Sequence, residues 1–189
     1  MVILETSRLT LRNWTDSDRD LFREINRDPK VMEFFPFRRT PEEADLMMER
    51  MRAMIEETGY GFYAIELKET AEPIGFCGLA PANMMPLLPE ATIEIGWRLA
   101  TRFWGNGYVT EAARALIEFG FVAKDLPEIV AFAVEANKRS TAVMERIGMR
   151  RDLEADFDHP RVPDSHPHLK RHVLYRISKD KSEPSRDAH

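Results

Sequence analysis

The chain has 189 residues, and its 27 basic against 32 acidic side chains leave a formal net charge of −5. That length allows one sizeable core in one domain, and a mild negative charge with no block of like sign excludes a general binder of nucleic acid or anionic membrane. The longest apolar runs, such as Ile129 to Val134, fall far short of the ~18 residues a spanning helix needs, and the first residues carry no signal-peptide pattern, so a cytoplasmic location is expected. The lone Cys77 excludes an internal disulfide, and between Phe76 and Gly78 it reads as a small buried hydrophobe rather than a nucleophile.

In chain order, Ile3 to Asn13 alternates apolar and polar residues like one half-buried strand. Thr15 to Asp20 then supplies cap residues and early acidic charge for a helix through Leu21, Phe22 and Ile25, ended by Pro29. The aromatic segment Phe34, Phe35, Pro36, Phe37 suits either an exposed wall or a core. A second helix opens on Thr40, Pro41 and Glu43, a capping box with proline in the first turn. Its stripe of Ala44, Met47, Met48, Met51 and Ile55 is helical core, and Gly59 closes it.

Phe62 to Leu67 and Ile74 to Leu79 read as an antiparallel hairpin, followed by a proline-rich loop over 80–91. From Thr92 to Leu99 the alternation is strict: Ile93, Ile95, Trp97 and Leu99 share one face, Thr92, Glu94, Gly96 and Arg98 the other. Val109, Ala112, Ala113, Leu116, Ile117, Gly120 and Phe121 mark the clearest amphipathic helix. Ile129 to Val134 is a strand buried on both faces, Asn137 to Ile147 a short helix stopped by Gly148, and Arg171 to Ser178 the last strand. Residues 179–189 lack apolar periodicity and read as a tail. The order predicts a mixed α/β (α+β) domain, residues 1–178, around a central sheet.

Between the Thr92–Leu99 strand and the clearest helix lies Arg102-Phe103-Trp104-Gly105-Asn106-Gly107. Backbone N–H groups at a helix start bind anions, and two glycines let a phosphate approach the main chain. Other phosphate motifs fail: Thr110 stands where a dinucleotide fingerprint needs its third glycine, and no Gly-Lys-Ser/Thr is present. Taken alone, the glycines are also compatible with a simple tight turn.

Arg102-x-x-Gly105-x-Gly107 resembles the acetyl-CoA loop, Q/R-x-x-G-x-G/A, of the GNAT superfamily of N-acetyltransferases. Glu94-Ile95-Gly96-Trp97-Arg98-Leu99, Tyr108-Val109-Thr110-Glu111-Ala112, Glu5-Thr6-Ser7-Arg8-Leu9-Thr10-Leu11-Arg12, Asn137-x-x-Ser140 and Glu145-Arg146-Ile147-Gly148-Met149 resemble its branch of bacterial ribosomal-protein N-terminal acetyltransferases (RimJ/RimL-like). The resemblance spans about residues 3 to 178 and is weakest over 150–172.

The resemblance implies a mostly antiparallel GNAT sheet whose Thr92–Leu99 strand splays from Ile129–Val134 to admit the pantetheine arm of acetyl-CoA. It implies backbone contacts to that arm around Trp97 and Leu99, and a pyrophosphate on Arg102 and the amides of Trp104, Gly105, Asn106, Gly107 and Tyr108. Asn137 would reach the pantetheine and Ser140 the thioester sulfur. Amine attack on a thioester needs a proton acceptor for the ammonium and a donor for the thiolate. Glu94 suits the first role, unless it is a solvated or salt-bridged strand glutamate, with Arg98 as the partner. Ser140 suits the second, unless it is only an early-helix hydroxyl or a hydrogen-bonding partner for CoA, and Tyr175 stands in reserve. His159, His166, His168 and His172, with Asp156 and Asp158, have irregular spacing that favours a loop beside the acceptor pocket over a metal site. The expected substrates are acetyl-CoA and a primary amine, on a protein N-terminus or a small molecule. Nucleic acid, membrane and metal are not expected, and the oligomer would be a monomer or homodimer. An idle acyl-CoA-binding module on the same fold fits the same residues.

Overall fold

A computed structural model describes residues 1–179, and the rest of the expected tail lies outside the described residues. The alternating N-terminal segment folds as a hairpin, β1 (Val2–Glu5) and β2 (Leu9–Arg12), rather than as one strand. A period of two does not distinguish the alternatives. The turn is closed by the Thr6 amide, which donates to the Leu9 carbonyl at 2.9 Å, and is held from outside by Glu111.

Helix α1 (Arg19–Arg27) follows a single 3-10 turn, and α2 (Pro41–Thr58) begins with the expected box: Thr40 Oγ1 accepts from the Glu43 amide, and the Glu43 carboxylate accepts from the Thr40 amide. Gly59 ends α2 in the left-handed region at φ 71°. Then come β3 (Gly61–Leu67), β4 (Pro73–Pro81), β5 (Ile93–Leu99), α3 (Tyr108–Val122), β6 (Glu128–Val134) and α4 (Lys138–Arg146). Two short strands follow, β7 (Arg150–Arg151) and β8 (Phe157–Asp158), before β9 (Arg171–Ser178). Both short strands pair with β9, and two residues are too few to leave a periodic trace in sequence.

The sheet runs β1-β2-β3-β4-β5-β6-β9-β7, with β8 also on β9. Every pairing is antiparallel except β5 with β6, which α3 joins by a crossover. Alternation along β6 and β9 sends their side chains to two cores. Ile129, Ala131, Ala133, Val173 and Tyr175 join the main core, with Leu116 of α3 and Met144 of α4. Val130 and Leu174 join a smaller one with Met84, Leu88 and Phe157. The main core also holds Trp14, whose ring lies edge-on to Phe22 with centroids 4.9 Å apart and whose indole N–H donates to the Phe62 carbonyl at 2.8 Å.

Candidate active site

Strand β5 pairs with β4 at seven positions from Ile93 to Leu99, but with β6 only at Glu94 opposite Val130. Beyond Glu94 the parallel strands part. The gap opens into a cleft of ≈ 1620 Å³ lined from the sheet by Glu94, Trp97, Arg98 and Phe132 and from the helices by Tyr108 and Ser140. This exceeds the ~300–1,000 Å³ of a one-ligand pocket, so two substrates have room to meet.

One end of the cleft is built from main chain. Gly105 and Gly107 have φ of 80° and 77°, a region that penalises a side chain, and Gly107 is the N-cap of α3 without a side-chain hydrogen bond. The first amides of α3 therefore lack an intrahelical or side-chain cap, an arrangement able to receive an anion. Trp104, Gly105, Gly107 and Tyr108 line the cleft there. Arg102 and Asn106 do not. The Arg102 guanidinium turns to Glu24 and, at 3.6 Å, Glu72, while Asn106 Nδ2 donates to the Phe103 and Trp104 carbonyls at 3.2 Å and shapes the loop.

The cations at this end are instead Arg8, which lines the cleft, donates to the Asn106 carbonyl at 3.1 Å and lies 4.6 Å over the Tyr108 ring, and Arg139, which lies 4.6 Å over the Trp104 ring. Glu111 holds Arg8 at 2.6 Å. Burial acts to raise the Glu111 carboxyl, but hydrogen bonds from Thr6, Arg8 and Ser7 outweigh it and bring the pKa down to about 2. Arg8 has no sequence signal for this role, because its contact with Asn106 joins positions 98 apart in the chain. Trp97 and Leu99 both line the cleft, and the Leu99 carbonyl accepts from the Trp104 indole at 3.0 Å, which leaves it one lone pair for a further donor.

Glu94 stands where β5 and β6 separate. Burial pushes its carboxyl up to about 8, against the lowering effect of Arg161, and it forms no ion pair with Arg98, whose Nη1 donates to Asn26 Oδ1 at 2.8 Å. The pairing of Glu94 with Arg98 is thereby removed. Ser140 is half-buried on the first turn of α4 and lines the cleft. Asn137 caps that helix: its Oδ1 accepts from the Ser140 amide at 3.2 Å, and its Nδ2 donors remain for a ligand. Tyr175 does not join them. It lies on the opposite face of β9 from His172, and its hydroxyl donates to Glu145 at 3.0 Å outside the cleft, so the reserve role expected for it has no geometric basis.

His159 and His172 come together with ring centroids 4.7 Å apart beside Phe132 and Phe157, and both line the cleft. Burial, then His172 and Arg161, lower His159 to about 4, and burial lowers His172, so both are neutral near pH 7. His166 and His168 pair elsewhere. Among the described residues no three His, Cys, Asp or Glu side chains converge as a metal site. Phe34 to Phe37 all line the cleft, with Phe35 and Phe37 exposed, so this segment is wall rather than core. Cys77 is fully buried, and burial pushes its thiol up.

The acetyltransferase (GNAT) domain family matches residues 8–150. The chain belongs to the GNAT family. YkkB of Bacillus subtilis (strain 168) is 34% identical over 149 residues, 77% of this chain and 84% of YkkB. An acetyltransferase from Agrobacterium tumefaciens str. C58 superimposes with a TM-score of 0.73 at 30% identity, covering 95% of each chain. RimL, a ribosomal L7/L12 α-N-protein acetyltransferase solved with coenzyme A, shares the fold at a TM-score of 0.73 and 18% identity, over 95% of this chain and 99% of RimL. As a GNAT protein the chain is an acetyl-CoA-dependent acyltransferase. No helix among the described residues is long and apolar enough to cross a membrane.

Proposed function

We propose that the chain transfers the acetyl group of acetyl-CoA directly to a primary amine, with Glu94 as proton acceptor and Ser140 as proton donor. The observation that carries this is Glu94: a carboxyl at the point where the strands part, held by burial at about 8. A base in that range matches neutral operating pH far better than an ordinary carboxylate. It takes the proton of the arriving ammonium, directly or through water, and frees the nitrogen lone pair.

The nitrogen then bonds to the thioester carbonyl carbon, the adduct's nitrogen gives its second proton to solvent, and collapse of the adduct breaks the C–S bond. The Ser140 hydroxyl gives its proton to the departing thiolate and recovers one from solvent. The amides from Trp104 to Tyr108, in the loop that leads into α3, hold the pyrophosphate with Arg8; Trp97 and the Asn137 carboxamide N–H groups receive the pantetheine arm. The carboxyl at about 8 also favours turnover over an idle binding module, because burial of a base costs stability with no return in mere binding.

Two measurements test this reading. Millimolar acetyl-CoA should raise the melting temperature, and CoA release followed with a thiol reagent should depend on an added amine. Binding without amine-dependent release from any of a wide panel would leave only the binding module; no thermal shift would remove the cofactor assignment.

A further inference from the structure

The cleft carries a cation that the transfer chemistry above does not use. Arg98 shares the β5 face of Glu94, four residues on, so their Cα atoms stand about 13 Å apart along the strand. Its guanidinium is sandwiched by aromatic rings, 4.3 Å from the centroid of Phe35 and 5.3 Å from that of Phe76. Of its five N–H groups, one donates, to a neutral amide oxygen of Asn26. No carboxylate lies within ion-pair distance of it among the described residues, whereas ten of the other eighteen arginines described there have one.

Arg39 reinforces the same region. Its backbone N–H donates to the Asn26 carbonyl, its guanidinium lies 4.8 Å over Phe37, and its Nε is buried without a partner. Arg161, the other cation near Glu94, gives its Nη2 to the Asn83 carbonyl at 2.6 Å. The remaining cleft carboxylates, Glu5, Glu111 and Glu118, sit on β1 and α3 at the cofactor side. Around the acceptor, Glu94 is therefore the single acid against Arg98 and Arg161. Burial, then Arg39, lower Arg98 only to about 10, so it stays charged at neutral pH.

An unneutralised guanidinium kept in a partly dry, aromatic recess costs desolvation energy, which a ligand anion would offset. Resting on the transfer reading, we infer that the acceptor is an amine bearing a carboxylate several bonds from the reacting nitrogen, of short-peptide size, whose anion binds Arg98 while the phenylalanine wall covers its apolar part. Polycationic acceptors are disfavoured by the same charges.

Steady-state kinetics with matched di- and tripeptides, each with a free C-terminal carboxylate or a C-terminal amide, and with spermidine, test the assignment. The free carboxylates should show kcat/KM about 10- to 100-fold above their amides, mainly through KM, the range of a charge-assisted hydrogen bond. Arg98→Gln should collapse that ratio to about one, Arg98→Lys should restore part of it, and neither should change acetyl-CoA affinity. If Arg98→Gln does not fold, Asn26→Asp gives Arg98 an internal carboxylate and should erase the preference alone. Equal use of amides, preference for spermidine, or a ratio surviving in Arg98→Gln or Asn26→Asp overturns the inference while the transfer reading stands. Turnover of no acceptor with acetyl-CoA still bound removes both.

Discussion

The two ends of the cleft are built by opposite means. The cofactor end is a short, continuous stretch, Trp104 to Tyr108, in which two left-handed glycines aim backbone amides at one point. The acceptor end gathers Phe35 and Phe37 from the loop after α1, Glu94 and Arg98 from β5, and His159 and His172 from the loop before β9 and that strand itself. Main-chain chemistry makes the first end tolerant of side-chain change and intolerant of change at glycine. The second depends on individual side chains and on the burial that tunes them.

The largest effect should come from the acceptor end. Glu94→Gln should lower kcat by about 10³-fold, within the range of a positioned general base, with acetyl-CoA affinity unchanged in calorimetry. In the unmodified chain the rate should rise with pH through about 8, as the carboxyl loses its proton. The stability sign is opposite. A carboxyl with a raised folded pKa stabilises the fold below the unfolded value near 4.5 and loses that contribution as pH rises through about 8. Glu94→Gln should therefore melt higher than the parent at pH 9 and nearly with it at pH 4. A variant with normal kcat would move the base elsewhere.

At the other end, Gly107→Glu should weaken acetyl-CoA binding about 100-fold, because it sets a carboxylate in the phosphate cradle at φ 77°. Gly107→Ala separates strain from charge: its Cβ would stand 3.7 Å from Arg8, and binding should fall far less. Unchanged affinity in folded Gly107→Glu would place the pyrophosphate elsewhere. Ser140→Ala lies on the boundary of the two ends. As a donor to sulfur it should lower kcat roughly 10²-fold with little change in affinity, whereas a pure binding contact would cost about 1 kcal/mol of affinity and leave kcat intact.

The same contrast explains what could be read in advance. Long periodic elements such as α3 and β5, and caps such as Thr40 and Gly59, follow local rules and appear in the sequence close to their observed bounds. Glu94, Gly107 and Ser140 were accessible because a motif fixes each to an element end or a strand face. What escaped was tertiary. Arg102 sits in the motif but is captured by Glu24 across the surface, and Tyr175 lies on the wrong side of β9, a parity that depends on pairing register with β6. Arg98 looked like a partner for Glu94 until Asn26 of α1 claimed it.

Arg8 is the sharpest case, since it reaches the cofactor end from 98 positions before the Asn106 it contacts, and it does so only because Glu111 fixes the β1–β2 turn. The carboxylate accepts from the Thr6 and Ser7 hydroxyls, the Arg8 amide and the Arg8 guanidinium at 2.6–3.0 Å. With its pKa lowered to about 2, Glu111 contributes stability above the unfolded value near 4.5, and that contribution is lost as pH falls toward 2. Glu111→Gln should therefore cost about 1–2 kcal/mol at pH 7, discounted because Arg8 is exposed, and the gap to the parent should close in acid. Acetyl-CoA affinity should also fall by a few-fold, since a loosened Arg8 no longer backs the loop. If affinity holds while stability drops, Arg8 is a structural tie alone.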